Sequence, residues 1–337
     1  MNFSLKQIMK MINKQSIWMK LLLILLVLGV LTVLLKPKNR EGFSQNKKYI
    51  MKRNGKIYDK FYSKLFDELF QTDELKKEEL DLVIPITNMG KASVVLEIGA
   101  GNGSLLELLE KRGIAAQGLE ESKDRITLSK QKNPKLNIAN ASPLKSNVFP
   151  PNSFSHIMCL FFTLYYQKNK LDFFKNCYDW LMPGGYLIIH LVNRDKFDPL
   201  VPAGNPFVMV SPQKYAKERL TKTKIALKDS DYESNFTLDK NNNKGKFIET
   251  FTSKMNDNVR QNEHTLYMEP QSHILSLAKE VGFFLKGKID LKIIQYEYNY
   301  LYILQKEGEL PNKPPQQQGP PQQGLPGGAG GLAALMG

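Results

Sequence analysis

A glycine-rich turn follows an apolar, strand-like segment and holds the residues with the clearest chemistry in this chain. Residues 94–104 read VVLEIGAGNGS, which places Glu97 before Gly99, Gly101 and Gly103. Glycines at such a turn let the backbone bend sharply and lie against a ligand. In a dinucleotide site, a pyrophosphate would sit near this carboxylate and be repelled by it. Glu97 therefore favours a ligand that is positively charged and has no phosphate.

An acidic pair ends the next predicted strand. Residues 118–122 read GLEES, so Glu120 stands 23 residues after Glu97. An acid at about this distance accepts hydrogen bonds from both ribose hydroxyls in nucleotide-binding sheets. A third element, residues 181–186 with the sequence LMPGGY, predicts a helix stop and a tight turn before another apolar strand. The acidic pair therefore predicts a ligand that contains a ribose.

In this order and spacing, the three elements resemble the class I S-adenosylmethionine-dependent methyltransferases over roughly residues 57–306. The resemblance implies S-adenosylmethionine as the cofactor. The glycine turn would hold its methionine part, Glu120 its ribose, and residues 140–144 (NASPL) its adenine, with Asn140 where the family usually has Asp. Aromatic residues of an N-terminal lid helix would cover it, and the end of the fourth strand would line the methyl-transfer side. The implied cofactor-binding residues are Tyr58, Tyr62, Glu97, Gly99, Ala100, Gly101, Gly103, Glu120, Glu121, Asn140, Ala141, Leu160 and Phe161.

Methyl transfer needs a base only when the acceptor is protonated at the working pH, as a hydroxyl or a carbon acid is. Candidates lie at the carboxyl ends of the strands and in the segment that follows the fifth strand. His190 stands near the end of the fifth strand, and His264 and Tyr267 belong to the later segment HTLYMEP. We predict His190 and Tyr267 as catalytic residues and no metal site. His190 is also explained as a packed strand residue, and Tyr267 as a core residue.

Strand-like and helix-like segments alternate from Val94 to Val192. This alternation predicts an α/β fold with a doubly wound, Rossmann-like, mostly parallel sheet of seven strands. After residue 193 this alternation stops. Short β-prone segments separated by Asn, Gly and Asp turns follow, and they predict an inserted antiparallel β cap. The predicted divisions are a basic segment (1–16), a transmembrane helix (17–35), a linker (36–56), the cofactor-binding core with its lid helix (57–193), the cap (194–268), the C-terminal part of the core (269–306) and a tail (307–337).

The basic charge of the chain is concentrated beside one apolar segment. Residues 1–56 hold twelve Lys and Arg against one acid, while the whole chain has a net charge of +14. Residues 57–337 therefore have a net charge close to zero, so we expect no nucleic-acid partner. Residues 17–35 include LLLILLVLGVLTVLL and predict a single-pass membrane anchor, because about 20 apolar residues span a bilayer. Residues 36–39 (KPKN) lack the small residues of a signal-peptide cleavage site. The flanking charges favour a cytosolic catalytic domain.

The methyl acceptor leaves no pattern in the sequence, so a small molecule, a lipid and a protein near the membrane all remain open. Two other functions also remain: a membrane-tethered module that binds the cofactor without catalysis, and a nicotinamide-dependent oxidoreductase, which Glu97 and Ser104 disfavour. The Pro/Gln/Gly-rich tail predicts a disordered segment that offers a docking site for other proteins. Cys159 and Cys177 are too few for a disulfide framework and predict buried thiols of a reduced compartment.

Overall fold

The computed structural model describes residues 16–21, 25–26, 28, 48–70, 73–200 and 212–310. The chain divides into two units, Met1–Lys48 and Tyr49–Gly337. In the first unit residues 17–21 are helical, and Ile17 and Trp18 expose 72% and 79% of their surface. None of the helices in these ranges has the length and apolar character needed to cross a membrane. Most of the predicted anchor, and the tail after residue 310, lie outside the described residues.

The second unit has twelve strands and six α-helices among its described residues. The strands are β1 (Tyr49–Arg53), β2 (Val94–Ile98), β3 (Ala115–Glu120), β4 (Ile138–Asn140), β5 (Phe154–Cys159), β6 (Leu181–Val192), β7 (Lys222–Ala226), β8 (Ser230–Asp239), β9 (Lys244–Ser253), β10 (Val259–Tyr267), β11 (Phe284–Asp290) and β12 (Asn299–Gln305). The helices are α1 (Lys60–Phe70), α2 (Asp73–Thr87), α3 (Ser104–Lys111), α4 (Lys123–Lys132), α5 (Lys170–Trp180) and α6 (Gln271–Val281).

Seven strands form the central sheet in the order β11-β12-β6-β5-β2-β3-β4. Strand β2 pairs in parallel with β3 and β5, β3 with β4, and β5 with β6, whereas β12 runs antiparallel to β6 and β11. All of β2 is buried, because α5 and α6 cover one face of the sheet and α2 and α3 the other. The predicted mostly parallel, Rossmann-like sheet is therefore present.

Five strands form a second sheet in the order β1-β10-β9-β8-β7, which we call the cap sheet. Strands β7 to β10 are antiparallel neighbours, but β1 joins β10 in parallel, with Tyr49 opposite Val259. Two predictions are corrected here. The predicted linker (36–56) contains a strand, and the cap is neither fully antiparallel nor confined to the insertion. Strand β1 is short and alternates between exposed and half-buried residues, so its sequence resembles a polar linker.

The predicted lid helix (57–70) corresponds to α1, which begins at Lys60, so Tyr58 lies just before the helix. An ion pair attaches the start of α1 to the cap sheet. The Arg260 guanidinium of β10 donates to both carboxylate oxygens of Asp59, at 3.0 and 2.8 Å, and also to the Ile57 carbonyl at 2.9 Å. The aromatic residues at the start of α1 are thereby held against β10.

Candidate active site

A cavity of about 620 Å³ lies at the carboxyl ends of β2 and β3 and is called the cofactor cavity below. Glu97 and Glu120, at the ends of these two strands, contribute to its lining. Ligands of open α/β sheets bind at this edge, and a pocket of this size accommodates a small molecule. Eight of the predicted cofactor-binding residues line it: Tyr58, Glu97, Gly99, Glu120, Glu121, Ala141, Leu160 and Phe161.

The glycine turn after β2 has a conformation that other residues adopt only with strain. Gly99 and Gly101 have φ angles of +81° and +58°. A Cβ atom on Gly99 would lie 2.8 Å from side-chain atoms of Thr163. One on Gly101 would overlap the Arg125 guanidinium. The turn therefore brings bare backbone close to the cavity, as binding of an extended ligand requires.

The Glu120 carboxylate is oriented by the backbone. Its Oε2 atom accepts from the Gly101 N–H and its Oε1 atom from the Ser122 N–H, each at 2.9 Å. A carboxylate offers about four acceptor positions, so each oxygen keeps one for a further donor. Arg125 Nη1 lies 3.6 Å from Oε2. The two adjacent carboxylate oxygens suit the two hydroxyls of a ribose.

Charges around the cofactor cavity favour a cationic ligand. Three carboxylates, those of Glu97, Glu120 and Glu121, line it against two cationic side chains, Arg125 and Lys168. S-adenosylmethionine carries an ammonium and a sulfonium against a single carboxylate, and it has no phosphate. The acids, the bare backbone of the turn and the volume of the cavity fit this cofactor.

Five predicted cofactor-binding residues are absent from this lining: Tyr62, Ala100, Gly101, Gly103 and Asn140. The difference at Asn140 has a clear physical reason. Its Nδ2 group donates to the backbone carbonyls of Glu120 and Glu121, each at 3.0 Å. An aspartate could not make these bonds, because an ionised carboxylate has no hydrogen to donate. Asn140 thus holds the end of β3 in place.

A second cavity, of about 110 Å³, adjoins the first and is called the aromatic cavity. Phe66, Phe161 and Tyr166 belong to the lining of both cavities and form a common wall. The remaining lining is mostly apolar and aromatic and includes Tyr62, Phe162, Phe197, Phe236, Phe247, His264 and Leu266. A molecule in this cavity would therefore lie next to whatever occupies the cofactor cavity.

The two predicted catalytic residues have different positions. Tyr267 lines the cofactor cavity. His190 lines neither cavity: it is buried, packs against Phe161 and Phe162, and its Nε2 atom is 3.1 Å from Asn299 Oδ1. Burial lowers the pKa of His190 to about 4, against the hydrogen bond with Asn299, so its imidazole is neutral at pH 7. His190 therefore lies outside the lining of both cavities, behind Phe161 and Phe162, which contribute to that lining.

A hydrogen-bonded chain that our sequence reasoning did not identify ends at the common wall. His264 Nε2 is 2.8 Å from Glu249 Oε2, and His264 Nδ1 is 2.7 Å from the Tyr166 hydroxyl. Tyr58 donates to the same hydroxyl at 3.1 Å. Glu249 and His264 are 0% and 1% exposed. The only signal in the sequence was His264 in the segment HTLYMEP.

Comparison with known proteins supports a methyltransferase. Residues 96–189 match the model of a family described as a methyltransferase domain. This match supports S-adenosylmethionine as the cofactor. No curated protein sequence matches the chain.

Several solved structures share the fold. An S-adenosylmethionine-dependent methyltransferase from Clostridium acetobutylicum is 14% identical with a TM-score of 0.57, over 74% of this chain and 98% of that one. The sugar N-methyltransferase KedS8 from Streptoalloteichus is 14% identical with a TM-score of 0.54, over 73% and 92%. The S-adenosylmethionine-bound amino pentose methyltransferase CalS10 from Micromonospora echinaspora is 13% identical with a TM-score of 0.53, over 73% and 96%.

Proposed function

We propose that this protein is an S-adenosylmethionine-dependent methyltransferase that works beside a membrane on an acceptor bound in the aromatic cavity. One observation carries the proposal: Glu97 and Glu120 lie in one cavity, at the ends of adjacent parallel strands and beside a glycine turn. Glu97 would bind the ammonium of the cofactor and Glu120 its ribose. A pyrophosphate would meet repulsion from the same acids.

The residues of the site mainly position and desolvate the reactants. When bound, the cofactor supplies a methyl group on a positively charged sulfur, which is already activated for in-line displacement. The common wall of Phe66, Phe161 and Tyr166 would guide the acceptor toward the cofactor cavity and exclude water. Holding two reactants in register removes much of the entropic barrier of a bimolecular step.

Equilibrium binding to the full chain in mild detergent tests the cofactor assignment. We expect S-adenosylmethionine to bind and NAD not to bind. Glu97→Gln should weaken binding of S-adenosylmethionine about 10- to 100-fold, since a hydrogen bond to a charged group contributes roughly 1.5–3 kcal/mol. Glu110→Gln, which changes an exposed acid of α3, is the matched control and should bind as the wild type does. Binding of NAD in preference would identify an oxidoreductase instead.

Catalysis and acceptor are tested with methyl-labelled S-adenosylmethionine. Incubation of the full chain with cell extract, followed by mass analysis of labelled products, should reveal a methylated compound. Tight cofactor binding without any labelled product would favour the binding module that lacks catalysis.

The membrane location rests on the composition of the N-terminal segment. Its apolar run is flanked by basic residues, and the described side chains Ile17 and Trp18 are exposed. Residues 17–35 would span the bilayer once and leave the catalytic domain in the cytosol. We expect the full chain to stay with membranes after alkaline extraction, and a variant lacking residues 17–35 to be released. Release of both would refute the anchor.

A further inference from the structure

We propose that Glu249, His264 and Tyr166 form a proton relay that serves the aromatic cavity, and that the acceptor is the hydroxyl group of an aromatic ring. The inference rests on the proposed methyltransferase function and adds the acceptor class and the base. Tyr166 would contact the acceptor directly, and His264 would receive the proton through it. Glu249 would act as a positioning residue through His264.

Hydrogen bonds fix the direction of the relay. Glu249 has two acceptor oxygens, and Tyr232 donates to one of them at 2.9 Å. The other oxygen lies 2.8 Å from His264 Nε2, which places the ring proton on that nitrogen. With the proton on Nε2, His264 Nδ1 accepts from the Tyr166 hydroxyl at 2.7 Å. The relay therefore runs from the common wall toward a buried carboxylate.

The Tyr166 oxygen retains one acceptor position for a substrate proton. A phenol oxygen has one hydrogen to donate and two lone pairs. Tyr166 donates its hydrogen to His264 and accepts one hydrogen from Tyr58. The second lone pair remains, and Tyr166 lines both cavities. A hydroxyl in the aromatic cavity can therefore donate to Tyr166 while its oxygen faces the cofactor cavity.

The surroundings of the relay favour proton transfer over ionisation of the tyrosines. The titratable and charged groups that face or influence it are Glu249 of β9, Tyr232 of β8, Tyr58 and Tyr62 at the start of α1, and Arg125 and Glu120 at longer range. Burial raises the pKa of Tyr58 to about 12 and that of Tyr166 well above its usual value. Tyr166 would thus pass a proton on without becoming a stable phenolate.

The shape and polarity of the aromatic cavity indicate the acceptor class. Its volume of about 110 Å³ is of the order of the roughly 150 Å³ cavity that holds a benzene ring. Aromatic rings such as Phe162 and Phe247 line it, and these pack edge to face with a planar ring. A neutral amine attacks with its own lone pair and needs no prior loss of a proton. A ring hydroxyl does need a base, and the relay ends where that base is required.

The reaction balances without another reactant. The acceptor oxygen forms a bond to the methyl carbon, and the carbon–sulfur bond breaks with its electron pair moving to sulfur. The hydroxyl proton moves to the Tyr166 oxygen while the proton of Tyr166 moves to His264 Nδ1. The imidazolium that results is stabilised by Glu249. Release of one proton to water restores the relay.

Two acceptors that differ chiefly in acidity test the relay. Catechol is protonated at pH 7.5, whereas a nitrated catechol is largely ionised. With catechol, Tyr166→Phe and His264→Gln should each lower kcat about 10²- to 10⁴-fold, the usual contribution of a general base. With the nitrated ring the loss should fall below about tenfold, because no proton has to leave. Equal losses with both acceptors would overturn the relay.

Tyr165→Phe is the matched control, since this buried neighbour lines neither cavity and accepts a hydrogen bond from the Val192 N–H at 2.9 Å. It should retain wild-type kcat with both acceptors. Cofactor affinity and the thermal midpoint of unfolding are measured for each variant. If His264→Gln does not fold, Tyr166→Phe alone tests the relay. An alkylated hydroquinone in detergent distinguishes a lipid-borne ring from a free one.

The outcomes separate this inference from the proposed function. A wild-type protein that binds S-adenosylmethionine and methylates amines, such as an amino sugar, but no ring hydroxyl would refute the inference alone. A protein that binds no S-adenosylmethionine would refute both.

Discussion

Replacing Asp59 should separate the start of α1 from the cap sheet and lower stability by an amount that the structure allows us to estimate. One Asp59 oxygen accepts from the Tyr62 N–H at 3.1 Å, so Asp59 caps α1. The same carboxylate takes two hydrogen bonds from Arg260, whose side chain is only 12% exposed. Removing Asp59 therefore loses a helix cap and leaves a mostly buried cation without its carboxylate partner.

The magnitude follows from these two contributions. Loss of an aspartate cap costs about 1 kcal/mol. Loss of the charged hydrogen bonds costs roughly 1.5–3 kcal/mol. Asp59→Ala should thus lower the free energy of unfolding by about 3 kcal/mol. Asp59→Asn keeps a capping oxygen and should lower it by about 2 kcal/mol. Urea unfolding followed by fluorescence measures both values.

The effect should depend on pH in a direction that the contacts determine. Burial tends to raise the pKa of Asp59, but the hydrogen bonds from Arg260 and the Tyr62 N–H, and the charges of Arg260 and Lys52, lower it overall. A lowered carboxyl pKa gives stability above the unfolded value of about 3.9, and this stability is lost as the pH falls through the folded value. The difference between wild type and Asp59→Asn should be complete at pH 7 and shrink below about pH 4. A difference that stays constant down to pH 2 would refute the ion pair as its cause.

Three further predictions concern binding, strain and thiol reactivity. Tyr58→Ala should weaken binding of S-adenosylmethionine in calorimetry about tenfold, because the Tyr58 ring lines the cofactor cavity. Tyr62 is fully buried, so Tyr62→Ala should mainly lower the free energy of unfolding, by roughly 3–5 kcal/mol. The reverse pattern would contradict both assignments. Gly101→Ala should cost about 1–2 kcal/mol in a urea melt because of its positive φ, and an unchanged midpoint would exclude strain there. Cys159 and Cys177 are fully buried, and burial raises the pKa of both thiols. A thiol reagent should therefore label neither cysteine in the folded protein and both cysteines in urea. Fast labelling of the folded protein would show that the core opens.

Sequence reasoning predicted the parts of the site that lie close together along the chain. Glu97 and its glycines occupy one strand end and one turn, so a short pattern shows both the residues and the backbone shape that they need. Glu120 follows because parallel strands end at the same edge of the sheet.

The proton relay could not be predicted, because its members are brought together only by tertiary packing. Tyr166 and His264 are 98 residues apart in the chain, and Glu249 lies on the strand beside His264. Strand β1 was not predicted for a related reason. Its alternation of exposed and half-buried residues arises from pairing with β10, which is distant in the sequence. At Asn140 the family pattern indicates a ligand contact, and the structure adds that its Nδ2 group donates to backbone carbonyls at the end of β3.

The parallel pairing of β1 with β10 decides where the chain can be shortened for expression. A recombinant fragment starting at residue 57 would keep every predicted cofactor residue, yet it would leave the N–H and C=O groups of β10 open along one side. An open edge of this kind pairs readily with other chains, so such a fragment should associate or aggregate. A fragment starting at residue 48 keeps the strand that covers this edge, and it is the better starting material for crystallisation.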